Sequence, residues 1–377
     1  MRVPLKLTFV LGAIALVTFL ACTIPRVLFF KNLFFQHAGI RMTQPQVAAS
    51  ASDSSEDARV QHIPKIIHQI FHNWHDPGND TLPESWAAMR QGCIDLNPTF
   101  EFKVRSQSPT LWSPMAQPLR HDIADADTRQ VWTEKMSRDF IETEYPWFLH
   151  TYDHYRYPVQ RVDAVRYFLM LHYGGIYMDF DNVRPPPPPS SPTHSHPANP
   201  SLPQGCKTDL TPLLHYPAWV TDGGRGALSN NILGARPNHP FWHHMTLSLL
   251  PYNWNWPLPF VTIMYSSGQW FLTAVWEEYH ALLPRPEANL GHEHRLYRIM
   301  MDGREGADPW VFFSYLEGGG GTWDNWDNAV FSGIGEHLFL FFAVLFGGLG
   351  VLVWLGLRCV RRYRGGYTRL KNRPGTV

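Results

Sequence analysis

Cysteine is scarce in this chain of 377 residues, which contains only four. Cys22 and Cys359 lie in or beside strongly apolar ends of the sequence, so a framework of several disulfides is excluded. Cys93 and Cys206 are the remaining pair, and the sequence leaves open whether they form a disulfide.

An excess of charge of either sign is also lacking, because lysine plus arginine and aspartate plus glutamate each total 32. A balanced chain has no general attraction for polyanions, so we expect no nucleic-acid partner. No internal repeat is visible in the sequence. The length therefore predicts one sizeable core with appendages rather than several small domains.

Long apolar runs are present, one near each end. Residues 7–25 match the ~20 residues that span a bilayer as a helix, and they are longer than the apolar part of a typical cleaved signal peptide, which is the alternative interpretation. Residues 337–357 form the second run, and the basic tail at 358–377 follows it. Since the positive-inside rule places such a tail in the cytosol, we predict two membrane spans with both termini, including residues 1–6, in the cytosol.

The segment between the two spans is therefore predicted to be lumenal, in the Golgi or the ER. Residues 26–62 are interpreted as a stem, because large apolar side chains are few between residues 43 and 59. Residues 63–336 are the predicted lumenal domain, which includes an extended proline-rich loop at 185–205. Asn79-Asp80-Thr81 is a glycosylation acceptor that only a lumenal domain could use.

The lumenal domain is predicted to have an α/β fold. The segment from Ile63 to Phe71 is rich in β-branched residues and indicates a buried first strand. Residues 128–173 have spaced apolar residues that indicate helices. Helices that alternate with short apolar strands favour an α/β sandwich.

The stretch at residues 161–181 carries the chemistry. It predicts a helix, a turn at Gly174-Gly175 and a short buried strand that ends at Asp179-Phe180-Asp181. Two carboxylates two residues apart converge only where the strand bends. A divalent cation bound between them would stabilise that convergence. Mg²⁺ and Mn²⁺ prefer carboxylate oxygens and share their ligand shell with substrate phosphates. The sequence alone therefore predicts a metal and phosphate site.

These residues resemble the sugar-binding region of DXD-containing glycosyltransferases of family GT32, and within it the fungal inositolphosphoceramide mannosyltransferases. The resemblance rests on Asp-x-x-Arg-Tyr at 163–167, Tyr-Gly-Gly-Ile-Tyr at 173–177 and Asp-x-Asp at 179–181. It implies a GT-A-like α/β sandwich that binds a nucleotide sugar, flanked here by N- and C-terminal transmembrane helices. It also implies transfer of mannose from GDP-mannose with retention of anomeric configuration, onto inositol phosphoceramide in sphingolipid biosynthesis.

The resemblance also assigns roles to individual residues. Asp179 and Asp181 become the catalytic residues and the ligands of Mn²⁺ or Mg²⁺. The donor-binding residues that it implies are Phe71, Asp163, Arg166, Tyr177, Asn230 and Asn231. Phe71 could stack on the base or belong to the core, and the asparagines could bind sugar hydroxyls or cap a loop.

Two positions depart from the pattern of the apparent relatives. Asp324 stands where relatives tend to have histidine, and because carboxylates bind hard cations it is a candidate third metal ligand. The alternative is that the segment around Asp324 is only a flexible connection to the second span. Gln269 lies in a block, Ser267-Gly268-Gln269, that usually has Gly-Pro, and its role stays open.

Three functions compete at this point. The leading one is transfer of mannose to a membrane lipid head group, with tryptophans lining a cleft near the bilayer, namely Trp254, Trp256, Trp270 and Trp276. The second keeps the chemistry but uses a glycan on protein as acceptor, or a UDP-sugar as donor. The third is a non-catalytic membrane partner of such a transferase. A regulatory membrane subunit is a further predicted partner.

Overall fold

The structure is a computed structural model that describes residues 37–50, 60–102, 131–180, 206–313 and 325–337, with isolated positions in both terminal segments. Short gaps within these ranges fall at 74–75, 77–78, 80, 225, 285–289 and 303–305. The proline-rich segment at 185–205 lies outside the described residues.

A seven-stranded mixed sheet forms the centre of the fold, in the order β1-β7-β5-β6-β4-β2-β3. Its strands are β1 (Ile40–Met42), β2 (Ile66–His68), β3 (Glu101–Phe102), β4 (Gly175–Met178), β5 (Ala218–Asp222), β6 (Ser229–Ala235) and β7 (Tyr297–Met300). Only β6 runs against the others, pairing antiparallel with β4 on one side and with β5 on the other. Because β2 and β4 are parallel neighbours, the residues that follow them meet at one edge of the sheet.

Nine helices are described, and those before residue 324 supply the helices that pack on the two faces of the sheet. They are α1 (Gln44–Ser50), α2 (Glu84–Leu96), α3 (Glu134–Glu144), α4 (Pro146–Asp153), α5 (Pro158–His172), α6 (Pro240–Tyr252), α7 (Pro259–Ser266), α8 (Gln269–Leu282) and α9 (Asn328–Glu336). Two short 3-10 helices lie at Thr211–His215 and His292–His294. The α/β sandwich predicted from the alternation of helices and strands is confirmed.

Most of the core forms two large apolar clusters because side chains alternate along each strand. Tyr177 and Leu233 point toward helices α3 to α6 and α8. Ile176 and Ile232 point to the opposite face, which α1, α2 and the 3-10 turn at Thr211–His215 cover. Burial on both faces explains why the sequence of β4 is apolar throughout.

Residues 40–50 belong to this fold although they lie within the segment predicted as a stem. β1 extends the sheet by pairing with β7, and Val47 of α1 is fully buried. Gln44 explains how a polar segment can dock: its side-chain oxygen accepts from the Phe312 and Val311 amides at 2.8 and 2.9 Å. Its side-chain amide donates to the Met300 carbonyl at 3.2 Å. The small and polar composition of this segment concealed these distant partners.

Cys93 and Cys206 form a disulfide with a Cα–Cα distance of 5.0 Å. It links α2 to the first described residue after the proline-rich segment, across a sequence separation of 113. The question that the sequence left open is thus answered by the structure.

Among the described residues, no helix has the length and apolar character needed to cross a membrane. Most positions of the predicted spans, 7–25 and 337–357, lie outside those residues. Residues 258–260 and 324–377 form a compact unit separate from the rest. Within that unit the buried Asp327 accepts from the Phe260 amide at 2.8 Å, and Phe331 stacks on Phe260.

Candidate active site

The turn between α5 and β4 positions the site. Gly174 and Gly175 have φ values of +63° and +91°, in the left-handed region that favours glycine. A Cβ at Gly175 would lie 2.6 Å from the Ile66 carbonyl oxygen, so only glycine lets β4 approach β2 here. Trp132 donates to Nδ1 of buried His68, which leaves Nε2 to donate to the Gly174 carbonyl at 2.9 Å. The predicted helix, glycine turn and strand are confirmed.

Arg166 is the centre of a buried polar network at the end of β4. Its Nη1 lies 3.0 Å from Asp179 Oδ2 and 2.7 Å from the Asn230 carbonyl oxygen. Its Nη2 lies 3.0 Å from Asp163 Oδ1, one helical turn back on α5. The guanidinium also lies 4.8 Å from the centre of the Tyr177 ring, within cation–π range. The fork of Arg166 therefore joins α5, β4 and β6.

Asp163 accepts from three side chains and is almost completely buried, at 4% exposure. Besides Arg166, the Asn230 amide donates to Oδ1 and the Ser267 hydroxyl donates to Oδ2, each at 3.0 Å. Burial raises the pKa of Asp163 to about 7, although Arg166 opposes this rise. Tyr167 links the same partners, because it donates to the Ser267 carbonyl and accepts from Asn230.

Asp179 is the more accessible carboxylate of the network, with a side chain that is 19% exposed. Oδ1 accepts from the Tyr177 hydroxyl and Oδ2 from Arg166, while the backbone amide donates to the Asn231 carbonyl at 2.9 Å. Burial raises its pKa, and Arg166 and Tyr177 oppose the rise.

Asn230 and Asn231 follow the alternation of β6 and have different surroundings. Asn230 faces Asp163, whereas the Asn231 side-chain oxygen accepts from Thr221 at 3.0 Å and from Ser229. Asn230 thus belongs to the Arg166 network, and Asn231 contributes its backbone carbonyl to it.

Phe71 lies beside the network, in an aromatic cluster at the ends of β2 and β4. It is 3% exposed and packs edge-on against Trp86, with ring centres 5.9 Å apart. Trp86 in turn stacks parallel on Phe180, the middle residue of the motif, at 5.7 Å. The sequence offered no signal for Trp86 or Phe180 beyond their aromatic type.

Asp181 and Asp324, the other predicted metal ligands, lie outside the described residues. Within the described part of the chain, no group of three histidine, cysteine or acidic side chains could hold a metal ion. The carboxylate of Asp179 is chemically suited to be one ligand of a hard cation, because it is partly exposed and hard cations prefer carboxylate oxygens.

A protein-family model described as the glycosyltransferase sugar-binding region containing the DXD motif matches residues 83–192. These residues are thus similar to a DXD-type sugar-binding region. Asp163, Arg166, Tyr177 and Asp179 lie inside it, whereas Asn230 and Ser267 complete the network from outside. Ser267 was not predicted as a site residue. The only sequence signal for it was its position in the block Ser267-Gly268-Gln269, to which no role was assigned.

Curated relatives extend the likeness beyond this region. The chain is 30% identical to mannosyl phosphorylinositol ceramide synthase SUR1 of Saccharomyces cerevisiae, over 80% of this chain and 65% of that protein. It is 33% identical to the synthase CSH1 of the same yeast, over 78% of this chain and 64% of that protein. The chain thus spans slightly less than two thirds of the length of these relatives. Inositol phosphoceramide mannosyltransferase 1 of Schizosaccharomyces pombe is 28% identical over 89% of this chain and 87% of its own length.

Proposed function

We propose that this chain is a retaining glycosyltransferase that moves mannose from GDP-mannose to inositol phosphoceramide, in a GT-A-like fold. The observation that carries the proposal is the buried network of Asp163, Arg166 and Asp179 within a DXD-type sugar-binding region. The names of the relatives supply the sugar and the lipid acceptor. The mixed sheet, with its motif at the end of β4, is consistent with a nucleotide-sugar-binding sandwich.

The electrostatics of the network suit an anionic donor bound through a cation. Arg166 offers one positive charge, but it lies between the carboxylates of Asp163 and Asp179. A diphosphate therefore needs further positive charge in order to bind beside Asp179. Mn²⁺ or Mg²⁺ held by Asp179 and Asp181, with Asp324 as a candidate third ligand, would neutralise the departing diphosphate. In this proposal Arg166, Asn230 and Tyr177 position the donor, and Asn231 and Asp163 fix their geometry.

We assign the domain to the lumen of the Golgi or ER, between two membrane spans. The disulfide between Cys93 and Cys206 supports this, because disulfides persist in oxidising compartments. Asn79 is exposed, as a glycosylation acceptor must be. A regulatory membrane subunit stays a prediction.

Of the four tryptophans proposed to line a cleft for the lipid, Trp270 is half-buried and packs edge-on against Tyr265, with ring centres 5.5 Å apart. The other three divide into two groups. Trp254 and Trp256, in the loop after α6, are exposed and can meet a membrane interface. Trp276 is fully buried in the core, so its assignment to the cleft was wrong. It packs against Phe241 and donates to the Ala38 carbonyl at 2.9 Å, contacts that the sequence did not reveal.

The test is transfer by membranes that contain the full chain. Radiolabelled GDP-mannose and inositol phosphoceramide should give a mannosylated lipid, chelator should abolish the product, and Mn²⁺ or Mg²⁺ should restore it. Asp181→Ala should remove most of the activity, since each lost ligand leaves diphosphate charge uncompensated. Asp153→Asn on the surface of α4 is a control that should leave activity unchanged. Label appearing only on protein, or chelator-insensitive transfer, would contradict the proposal.

A further inference from the structure

The solvent-facing side of α6 reverses the usual pattern of a surface helix. Leu247 and Leu250 are 47% and 44% exposed, whereas the polar Thr246 and Ser248 are buried, at 1% and 8%. Exposed positions of a surface helix are normally polar or charged. Leu247 and Leu250 are three residues apart and therefore occupy one side of the helix. The exposed side of α6 is thus apolar.

The same surface continues into the loop after α6, where Trp254 and Trp256 are exposed. The Thr262 hydroxyl holds this loop, because it accepts from the Trp256 amide at 2.9 Å and donates to the Trp256 carbonyl at 3.1 Å. The Trp256 ring also packs against Tyr265, with ring centres 5.8 Å apart. We call Leu247, Leu250, Trp254 and Trp256 the α6 surface. Its large side chains stand on a backbone that is fixed by hydrogen bonds.

Formal charge is absent from this part of the sequence. No lysine, arginine, aspartate or glutamate occurs between Arg236 and Glu277. Beside α6, Glu278 of α8 accepts from the Tyr252 hydroxyl at 2.6 Å, and the exposed His243 lies one turn before Leu247. Large exposed apolar patches mark surfaces that contact another protein or a membrane.

The connecting chain favours a membrane as the partner. Trp256 is four residues from Phe260, whose amide donates to Asp327 at 2.8 Å, and four residues reach at most ~14 Å. α9 follows Asp327 with nine residues, or ~13.5 Å, and the predicted second span begins at residue 337. The length of the chain alone therefore limits how far the α6 surface can lie from the bilayer. Tryptophan is also enriched at membrane–water interfaces.

The opposite side of α6 contacts the donor network. Trp242 is fully buried and stacks on Tyr167, with ring centres 6.1 Å apart, and Tyr167 accepts from Asn230. An α-helix with its side chains is ~10–12 Å across. The thickness of one helix thus separates the network from whatever contacts the α6 surface.

We infer that the α6 surface lies in the membrane–water interface of the bilayer, as a contact in addition to the two predicted spans. Apolar and aromatic side chains make this contact, and it needs no anionic lipid because the surface has no lysine or arginine. The inference rests on the proposed function for the two spans. It deepens that function by setting the donor network about one helix above the lipids that include the acceptor.

Spin-label accessibility tests the inference without donor or acceptor. The full chain with Cys22→Ser and Cys359→Ser carries a nitroxide at Leu247→Cys or Leu250→Cys and is reconstituted in phosphatidylcholine vesicles. Because oxygen concentrates in lipid and a nickel chelate stays in water, collision with oxygen should exceed collision with nickel at both positions. Leu96→Cys is the matched control, since Leu96 is an exposed leucine of α2 on the opposite face of the sheet, and it should show the reverse order. Added phosphatidylserine or salt should change neither result.

Introduced charge tests the α6 surface as a unit. With the label at Trp254→Cys, Leu247→Glu and Leu250→Glu together should shift its collisions from oxygen toward the nickel chelate, because carboxylates resist leaving water. Both leucines are about half exposed, so the fold should be retained. Leu96→Glu is the control, and it should leave the accessibility of the Trp254→Cys label unchanged.

Three results would overturn the inference. More collision with nickel than with oxygen at Leu247→Cys and Leu250→Cys would place the α6 surface in water. Little collision with either reagent would show that protein covers it, from a second chain or from another part of this one. A requirement for phosphatidylserine would assign the contact to charge. Failure of the proposed function would appear differently, as an absence of mannosylated lipid while the oxygen contact of α6 remained.

Discussion

Replacing Arg166 by methionine tests the energetic basis of the network. Methionine keeps much of the volume of arginine but lacks the guanidinium. The nitrogens of that group lie 2.7 to 3.0 Å from the Asp163 and Asp179 carboxylates and the Asn230 carbonyl oxygen. Removing one partner of a buried ion pair costs about 3–5 kcal/mol, because the remaining charge stays buried. Asp163, with a side chain that is only 6% exposed, should account for most of that loss.

A double-mutant cycle isolates the charge of Asp163. If the buried charge causes the loss, Asp163→Asn should be harmful alone but should recover about 1–3 kcal/mol when added to Arg166→Met. The free energy of unfolding is measured by urea titration of the solubilised full chain, with chelator present so that metal does not contribute. Arg138→Met is the control, because Arg138 pairs with Glu142 and Asp153 on the surface and its loss should have a much smaller effect. Strict additivity in the cycle would refute the reasoning.

Three further predictions follow from the same structure. Because burial raises the pKa of Asp163 to about 7 from about 3.9 in the unfolded chain, the native state binds this proton more tightly. The contribution of this protonation to stability is present below about pH 4 and is lost as the pH rises through about 7. Asp163→Asn should therefore make the urea midpoint less dependent on pH over this range, while Asp153→Asn should not. Replacing Cys93 and Cys206 together by alanine should lower the free energy of unfolding by about 2–4 kcal/mol, and reductant should then have no further effect. Gly175→Ala should cost more than about 1 kcal/mol and reduce transfer, since its φ is +91° and the new Cβ meets the Ile66 carbonyl, whereas Gly92→Ala in open space on α2 should be tolerated.

Local sequence signals predicted the part of the site that is contiguous in the chain. The spacing of Asp163 and Arg166 fixes one helical face, and Gly174-Gly175 fixes the turn, so the sequence alone indicated that α5 and β4 carry the site. Ser267 could not be predicted in the same way, because its contact with Asp163 spans 104 residues.

Docking of weakly apolar segments was also beyond local signals. β1 and α1 looked like a stem because few large apolar residues are present, yet pairing with β7 and the four hydrogen bonds of Gln44 hold them in the fold. The antiparallel direction of β6 likewise depends on its partners, β4 and β5, rather than on its own sequence. Composition estimates how much apolar surface a segment can bury, but not whether a distant partner satisfies its polar groups.

The contacts of Asp163 and Asp179 divide their roles. Three of the about four acceptor sites of Asp163 are taken by Arg166, Asn230 and Ser267, and the residue is nearly inaccessible. The Asp179 side chain is more exposed, at 19% against 6% for Asp163, so in the proposed function a donor or metal ion would reach it first. Asp163 can then act by holding the Arg166 fork and the Asn230 amide in place, because a long side chain held on several sides loses little freedom when substrate arrives. The buried carboxylate of Asp163 thus fixes the Arg166 guanidinium, which the more accessible carboxylate of Asp179 would otherwise bind alone.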